Sequence, residues 1–165
     1  MGKSGRLIFF CGKMGAGKTT MSHSIAKNEL GIRLSEDEWL SSHYPEQIET
    51  FQDYLKHSSL IKPFVRSLAT NLLTTGNTVV MDFPANTVRQ REWFKSLCNE
   101  TECTHELIYL AVSNEVCLEQ ISKRRKEQPE RAQFDTEAVF NEVAKYFEAP
   151  TDSESLNIVQ SRKNA

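Results

Sequence analysis

A glycine-rich run near the N-terminus has the residue types and spacing of a polyphosphate-binding loop. It fits the P-loop (Walker A) pattern G-x-x-x-x-G-K-[ST] at every position, through Gly12, Lys13, Met14, Gly15, Ala16, Gly17, Lys18 and Thr19. Glycine has no Cβ and tolerates positive φ, so the backbone N–H groups of such a loop can wrap a polyphosphate. Lys18 can then reach the β- and γ-phosphates, and the hydroxyl of Thr19, or of Thr20 one residue further, can bind Mg²⁺. We therefore predict that the loop binds MgATP.

Two aspartates are candidates for the chemistry on the transferred phosphoryl group. Asp37 follows the second predicted strand, and Asp82 ends the third. In parallel sheets the carboxyl ends of the strands form the ligand-binding edge. A carboxylate there can accept the proton of an attacking hydroxyl, or orient Mg²⁺ directly or through water, and either aspartate could do either. The structural alternatives are a helix cap for Asp37, beside the capping box of Ser35 and Glu38, and a turn for Asp82.

A basic segment at 123–133 is polar and shows no apolar period, which predicts a mobile loop. Phosphoryl transfer develops negative charge on the equatorial oxygens, and an arginine closing over them stabilises that charge. Arg124, Arg125 and Arg131 are candidates for this catalytic role. The alternative is a solvated basic end of a helix, which favours the helix dipole in its own right.

Two further arginines and several aromatic side chains are candidates for binding the substrate. Arg89 and Arg91 could hold an anionic group through bidentate hydrogen bonds, or could be solvated helix residues. Trp39, with Tyr44 and Trp93, could line a substrate pocket, although aromatic residues are as common in a core or at its rim.

Short apolar runs alternate with longer helical segments, and this order predicts an α/β fold with a parallel sheet covered by helices on both faces. The five predicted strands are 7–11, 32–34, 78–81, 107–112 and 156–159. The predicted helices begin at Lys18, span 45–75, follow an N-cap at Asn114 as far as Arg125, and follow Asp135 or Thr136 to a point before Pro150. The first predicted strand and helix flank the glycine-rich run, as a phosphate-binding loop requires.

Composition limits the possible classes of protein. A chain of 165 residues with 39% hydrophobic and 25% charged residues fits one globular domain, with residues 160–165 as a frayed tail. The formal net charge of -2 supplies no general attraction to nucleic acid, so we do not expect nucleic acid as a partner, although a local basic patch leaves that alternative open. The four cysteines form no CxxC pair, and the N-terminal apolar run is too short for a signal or membrane segment. We therefore expect a cytoplasmic protein without a membrane partner; its oligomeric state stays open.

The sequence also resembles the small AAA-type ATP-binding proteins of the P-loop kinase superfamily, and is similar to polynucleotide kinase, chloramphenicol phosphotransferase and zeta toxin. The resemblance rests on residues 12–19, 34–39, 79–83, 124–125 and 147–150, and on Glu154. It implies that Asp37 is the base for an acceptor hydroxyl and that 123–133 is a lid. The loop after the third strand departs from the family pattern, so either Arg89 or Arg91 could match the family's arginine.

We therefore predict a kinase that moves the γ-phosphoryl group of MgATP onto a hydroxyl of a small-molecule acceptor. Two alternatives stay open. One is a 5′-hydroxyl polynucleotide kinase, which would bind oligonucleotides with a steep dependence on salt. The other is an ATP-dependent switch or partner-binding ATPase that has no small acceptor.

Overall fold

The computed structural model describes residues 2–161, which form a parallel β-sheet between two layers of α-helices. Within this range the sheet has five strands: β1 (Arg6–Cys11), β2 (Ile32–Ser35), β3 (Thr78–Pro84), β4 (Thr104–Leu110) and β5 (Ile158–Ser161). Every neighbouring pair is parallel, and the order across the sheet is β2-β3-β1-β4-β5. The predicted α/β architecture is confirmed.

The same residues form six α-helices: α1 (Lys18–Asn28), α2 (Glu36–His43), α3 (Phe51–Thr74), α4 (Val88–Thr101), α5 (Asn114–Glu127) and α6 (Glu137–Ala144). The start of the first helix at Lys18 is confirmed. Thr136, one of the two predicted caps of α6, accepts a hydrogen bond from the Val139 N–H. Among the described helices, none is both long and apolar enough to cross a bilayer.

Three helix boundaries differ from the sequence prediction. The long helix starts at Phe51 rather than at 45, because Thr50 and Asp53 form a capping box there. Ser113, and not Asn114, caps α5 through a hydrogen bond from the Val116 N–H. The basic segment is not one loop: α5 runs on to Glu127, and a 3₁₀ turn follows at Pro129–Arg131.

Strand boundaries also shift. β3 runs on to Pro84, so Asp82 lies inside the strand and pairs with Ser35 of β2 instead of following the strand end. β5 includes Gln160 and Ser161, which pair with β4, although a frayed tail was predicted from residue 160. The rest of that tail, 162–165, lies outside the described residues.

β1 is buried along almost its whole length because it pairs with β3 on one side and with β4 on the other. Its alternate side chains enter two different cores. Leu7 and Phe9 pack in the core that faces α3 and α4, whereas Ile8 and Phe10 pack in the core that faces α1, α5 and α6. A strand held on both edges and both faces is a rigid support for the loop that follows it.

Candidate active site

The loop between β1 and α1 requires glycine at two positions. Gly15 has φ 80° and Gly17 has φ 98°, and Gly17 is also the N-cap of α1. A Cβ on Gly15 would lie 2.6 Å from the Cys117 carbonyl oxygen and 2.8 Å from Ile121 Cγ1, both on α5. The loop therefore lies directly against α5, and its backbone adopts the conformation that a phosphate-binding loop needs.

Lys18 joins the two ends of this loop. Its ammonium group donates hydrogen bonds to the carbonyl oxygens of Gly12 and Lys13, the second at 3.2 Å. Burial lowers the pKa of Lys18, and the nearby Asp82 carboxylate opposes that fall. A cation held among backbone carbonyls at the N-terminal end of a helix suits the recognition of a polyphosphate.

Asn86 and Asn114 hold the loop from outside, and sequence reasoning missed both contacts. The Gly12 N–H donates to Asn86 Oδ1 at 2.9 Å, and the Lys13 ammonium donates to Asn114 Oδ1 at 2.8 Å. The same ammonium lies 5.4 Å from the centroid of the Phe147 ring. Because Ser113 caps α5, the side chain of Asn114 is available for Lys13.

Asp82 is held by a cation that the sequence did not single out. Arg33 Nη2 donates to Asp82 Oδ2 at 2.8 Å, and Arg33 Nε donates to Ser22 Oγ at 2.7 Å. The Ser22 hydroxyl in turn donates to the Thr19 carbonyl at 2.7 Å. Arg33 thus ties the Asp82 carboxylate to the first turn of α1, where Thr19 is exposed. An arginine within a predicted strand was the available signal.

Asp37 lies in the first turn of α2 with 63% of its side chain exposed. It does not cap the helix, because Ser35 Oγ accepts the hydrogen bond from the Glu38 N–H. The predicted capping box also requires the Glu38 carboxylate to accept a hydrogen bond from the backbone at Ser35. That carboxylate instead accepts a hydrogen bond from Arg33 Nη1 at 2.7 Å. Asp37 Oδ2 instead lies 3.6 Å from Arg131 Nη1.

The three arginines of the basic segment take different positions. Arg124 and Arg131 both contact the carboxylate of Asp135, a residue that the sequence suggested only as a helix cap. The positive charge of Arg124 also contributes to lowering the pKa of Lys18. Arg125 is exposed and forms no ion pair within residues 2–161, so the solvated alternative fits Arg125.

The two arginines after β3 also lie in different environments. The substrate-binding role predicted for Arg91 needs correction. Arg91 is fully buried, where its guanidinium donates to both carboxylate oxygens of Glu154, at 2.7 and 3.2 Å, and to the Ala85 carbonyl at 3.0 Å. It therefore ties α4 to the 3₁₀ turn at Asp152–Glu154 and cannot face a substrate from this position. Arg89 is exposed.

A cavity of about 110 Å³ lies beside Glu36, between α3, α4 and the end of β3. Its lining includes Glu36, Tyr54, Ser58, Phe83, Gln90 and Trp93. The buried Glu36 carboxylate accepts hydrogen bonds from the Tyr54 hydroxyl and, at 2.8 Å, from the Ser58 hydroxyl. Burial raises the pKa of Glu36. Trp39 is not among the lining residues, since its ring packs 5.3 Å from that of Phe64 and 5.5 Å from that of His43.

Comparisons with known proteins show the family and the fold of the chain. A family model described as AAA domain matches residues 7–150. None of the curated proteins matches the sequence. Among solved structures, a candidate kinase of Chloroflexus aurantiacus is 20% identical with a TM-score of 0.73, and the match covers 97% of this chain and 86% of that one.

Two more solved structures are similar at 13% identity. The APS kinase of Mycobacterium tuberculosis, in complex with AMPPNP and APS, has a TM-score of 0.69 over 99% of this chain and 91% of its own. Kti12 of Chaetomium thermophilum, in complex with ADP-AlF3, has a TM-score of 0.65 over 96% and 89%. At these identities the likeness shows the fold, which is that of the P-loop kinases and NTPases.

We predict that Gly15→Ala weakens ATP binding. The new Cβ would collide with the Cys117 carbonyl and would hold an L-residue at φ 80°, which costs roughly 1–2 kcal/mol before the collision is counted. Calorimetric titration with ATP should show at least about a tenfold loss of affinity. Gly2→Ala is the control, because a Cβ there meets nothing within 4 Å. Equal affinities for both variants would contradict this geometry.

We predict that Arg91→Met lowers stability and leaves nucleotide binding intact. Removing one partner of a buried ion pair typically costs about 3–5 kcal/mol, because the other charge stays uncompensated. Thermal unfolding should show a large fall in Tm, whereas the exposed Arg89→Met should change stability by less than about 0.5 kcal/mol. An Arg91→Met protein with native Tm and impaired activity would restore the substrate role.

Proposed function

The chain belongs to the AAA domain family, and from that premise we propose that it is a kinase transferring the γ-phosphoryl group of MgATP to a hydroxyl of a small molecule. The observation that carries the proposal is the contact between Asp37 and Arg131, at 3.6 Å. A carboxylate from the first turn of α2, directly after β2, there meets a cation of the basic segment, from the turn that follows α5. A proton acceptor and a phosphate-binding cation side by side are what phosphoryl transfer to an alcohol needs.

The glycine loop and its surroundings fit a bound triphosphate. The backbone N–H groups of 12–19 would hold the phosphate oxygens, and the Lys18 ammonium would exchange its carbonyl partners for phosphate. Thr19, exposed at the start of α1, and Asp82, held by Arg33, offer the oxygen ligands that Mg²⁺ prefers. Bound Mg²⁺ would neutralise charge on the β- and γ-phosphates.

Asp37 is proposed as the general base. Its exposed carboxylate would accept the proton as the acceptor oxygen forms a bond to the γ-phosphorus and the bond from that phosphorus to the leaving ADP oxygen breaks. Lys18, Arg124 and Arg131 would stabilise the charge on the transferring group. The products are ADP and a phosphomonoester.

The cavity beside Glu36 supports a small acceptor. Its volume of about 110 Å³ is well below the roughly 300–1,000 Å³ of pockets that enclose drug-sized ligands. Its wall joins aromatic side chains to a few polar groups, which is typical of a site that orients a small polar molecule. Glu36 lines the cavity and Asp37 follows it in the same turn of α2, so the cavity and the proposed base lie at the same end of that helix.

A transfer assay tests the acceptor class. Incubating the protein with γ-labelled ATP and pooled hydroxyl-bearing metabolites, antibiotics and oligonucleotides should yield a labelled small phosphomonoester. Labelled oligonucleotides, bound with steep salt dependence, would support the polynucleotide kinase alternative instead. Hydrolysis that no acceptor stimulates, with a partner retained only in ATP, would support the switch.

We predict that Asp37→Asn lowers the transfer rate by about 10²–10⁴-fold, because the amide cannot accept the proton. ATP affinity should stay within about threefold of the native value, since Asp37 lies outside the loop. Steady-state kinetics and calorimetry measure the two quantities. Glu49→Gln, which removes another exposed carboxylate, is the control. A native transfer rate in Asp37→Asn would remove Asp37 as the base.

A further inference from the structure

Asp135 is a buried carboxylate at the junction between the basic segment and α6. Its side chain is 0% exposed. Arg124 binds it through two hydrogen bonds, Nε to Oδ2 at 2.9 Å and Nη2 to Oδ1 at 2.6 Å. Arg131 Nε lies 3.4 Å from the same Oδ2, and the Asp135 N–H donates to the Arg131 carbonyl at 2.9 Å. Two arginines, from α5 and from the 3₁₀ turn, therefore meet at one carboxylate.

The two arginines extend toward different parts of the candidate site. Arg131 Nη1 lies 3.6 Å from Asp37 Oδ2, on the side of the proposed base. Arg124 lies seven residues after Cys117 and three after Ile121 on α5, so it shares the helix face that packs against Gly15 of the phosphate loop. Arg124 uses one edge of its guanidinium for Asp135, whereas Arg131 approaches the carboxylate with Nε alone and forms no hydrogen bond there. An arginine has five N–H donors, so donors remain on both for an anion.

Asp135 is a buried anchor of this part of the lid, beside the backbone hydrogen bonds of the 3₁₀ turn. Within the described segment 128–134 there is no buried residue, so apolar packing contributes little to its position. α6 is held on the sheet by Phe140, which is 1% exposed. A bidentate contact between arginine and carboxylate fixes distance and orientation together, and burial strengthens it. The position of the Arg124 guanidinium, and in part that of Arg131, thus depends on a carboxylate that is itself buried and lies outside the glycine loop.

We propose that Asp135 is a positioning residue for phosphoryl transfer: it sets Arg124 toward the phosphate loop and Arg131 toward Asp37. This inference rests on the proposed function. Asp135 acts through the two arginines and touches no reacting atom. The competing interpretation is that the ion pair only joins α5 to α6 and contributes to stability.

The test compares two complexes that need no acceptor, MgADP alone and MgADP with aluminium fluoride, which mimics the transferring phosphoryl group. In Asp135→Asn, calorimetry should show MgADP affinity within about threefold of native and at least a tenfold loss for the aluminium fluoride complex, because lid arginines act on transition-state charge. Equal losses of affinity for the two complexes would overturn the positioning role. A lower Tm with a native ratio between the two affinities would overturn it as well.

Two further variants complete the experiment. Asp135→Glu keeps the charge but displaces the carboxylate by one methylene group, so it tests position even if Asp135→Asn unfolds. Asp135→Glu should show the same loss of affinity for the aluminium fluoride complex, with MgADP affinity kept. If aluminium fluoride raises the MgADP affinity of this variant as much as it does for the native protein, the proposal is overturned. Glu142→Gln breaks an exposed ion pair with Lys145 on α6 and should behave as native. If the native chain binds MgADP no more tightly with aluminium fluoride, phosphoryl transfer itself fails, and the positioning role fails with it.

Discussion

The site depends on how β1 holds the glycine loop. β1 is paired on both edges and packed on both faces. The position and direction of the chain at the end of this strand are therefore fixed. The loop then turns through two glycines with positive φ and enters α1 with its N–H groups grouped at the helix N-terminus. Contact with α5 leaves no room for a side chain at Gly15. Every other candidate residue is placed relative to this loop, because the neighbouring strands end beside it.

The charges around the loop occur as partnered groups. Arg33 lies with Asp82, Arg124 with Asp135, and Arg131 between Asp135 and Asp37. Such pairing offsets the cost of gathering cations in a partly buried site, because an unpaired buried charge is expensive. It also leaves Arg124 and Arg131 with N–H donors that Asp135 does not use. A polyphosphate that binds in the loop would contact cations whose positions are already set by carboxylates. Binding would therefore cost little side-chain conformational entropy.

Local competition between residues decided which polar groups are available. Ser35 caps α2, which frees Asp37, and Ser113 caps α5, which frees Asn114 for Lys13. Arg91 shows the opposite outcome, because Glu154 and the Ala85 carbonyl satisfy it inside the protein. An arginine buried to 0% exposure is stable only with such complete pairing. Residues of one type, close in sequence, thus have different roles according to the partners that the fold brings to them.

The sequence alone determined the glycine loop, the α/β class and the five strands in chain order, because these follow from local spacing and from short apolar runs, whereas α2 and α4 were not among the predicted helices. Tertiary structure decided the rest. Contacts such as Arg33 with Asp82, Asn86 with Gly12, and Arg124 with Asp135 join residues that are 49, 74 and 11 positions apart. No local pattern encodes them, since the identity of each partner depends on which strands become neighbours and where each helix begins.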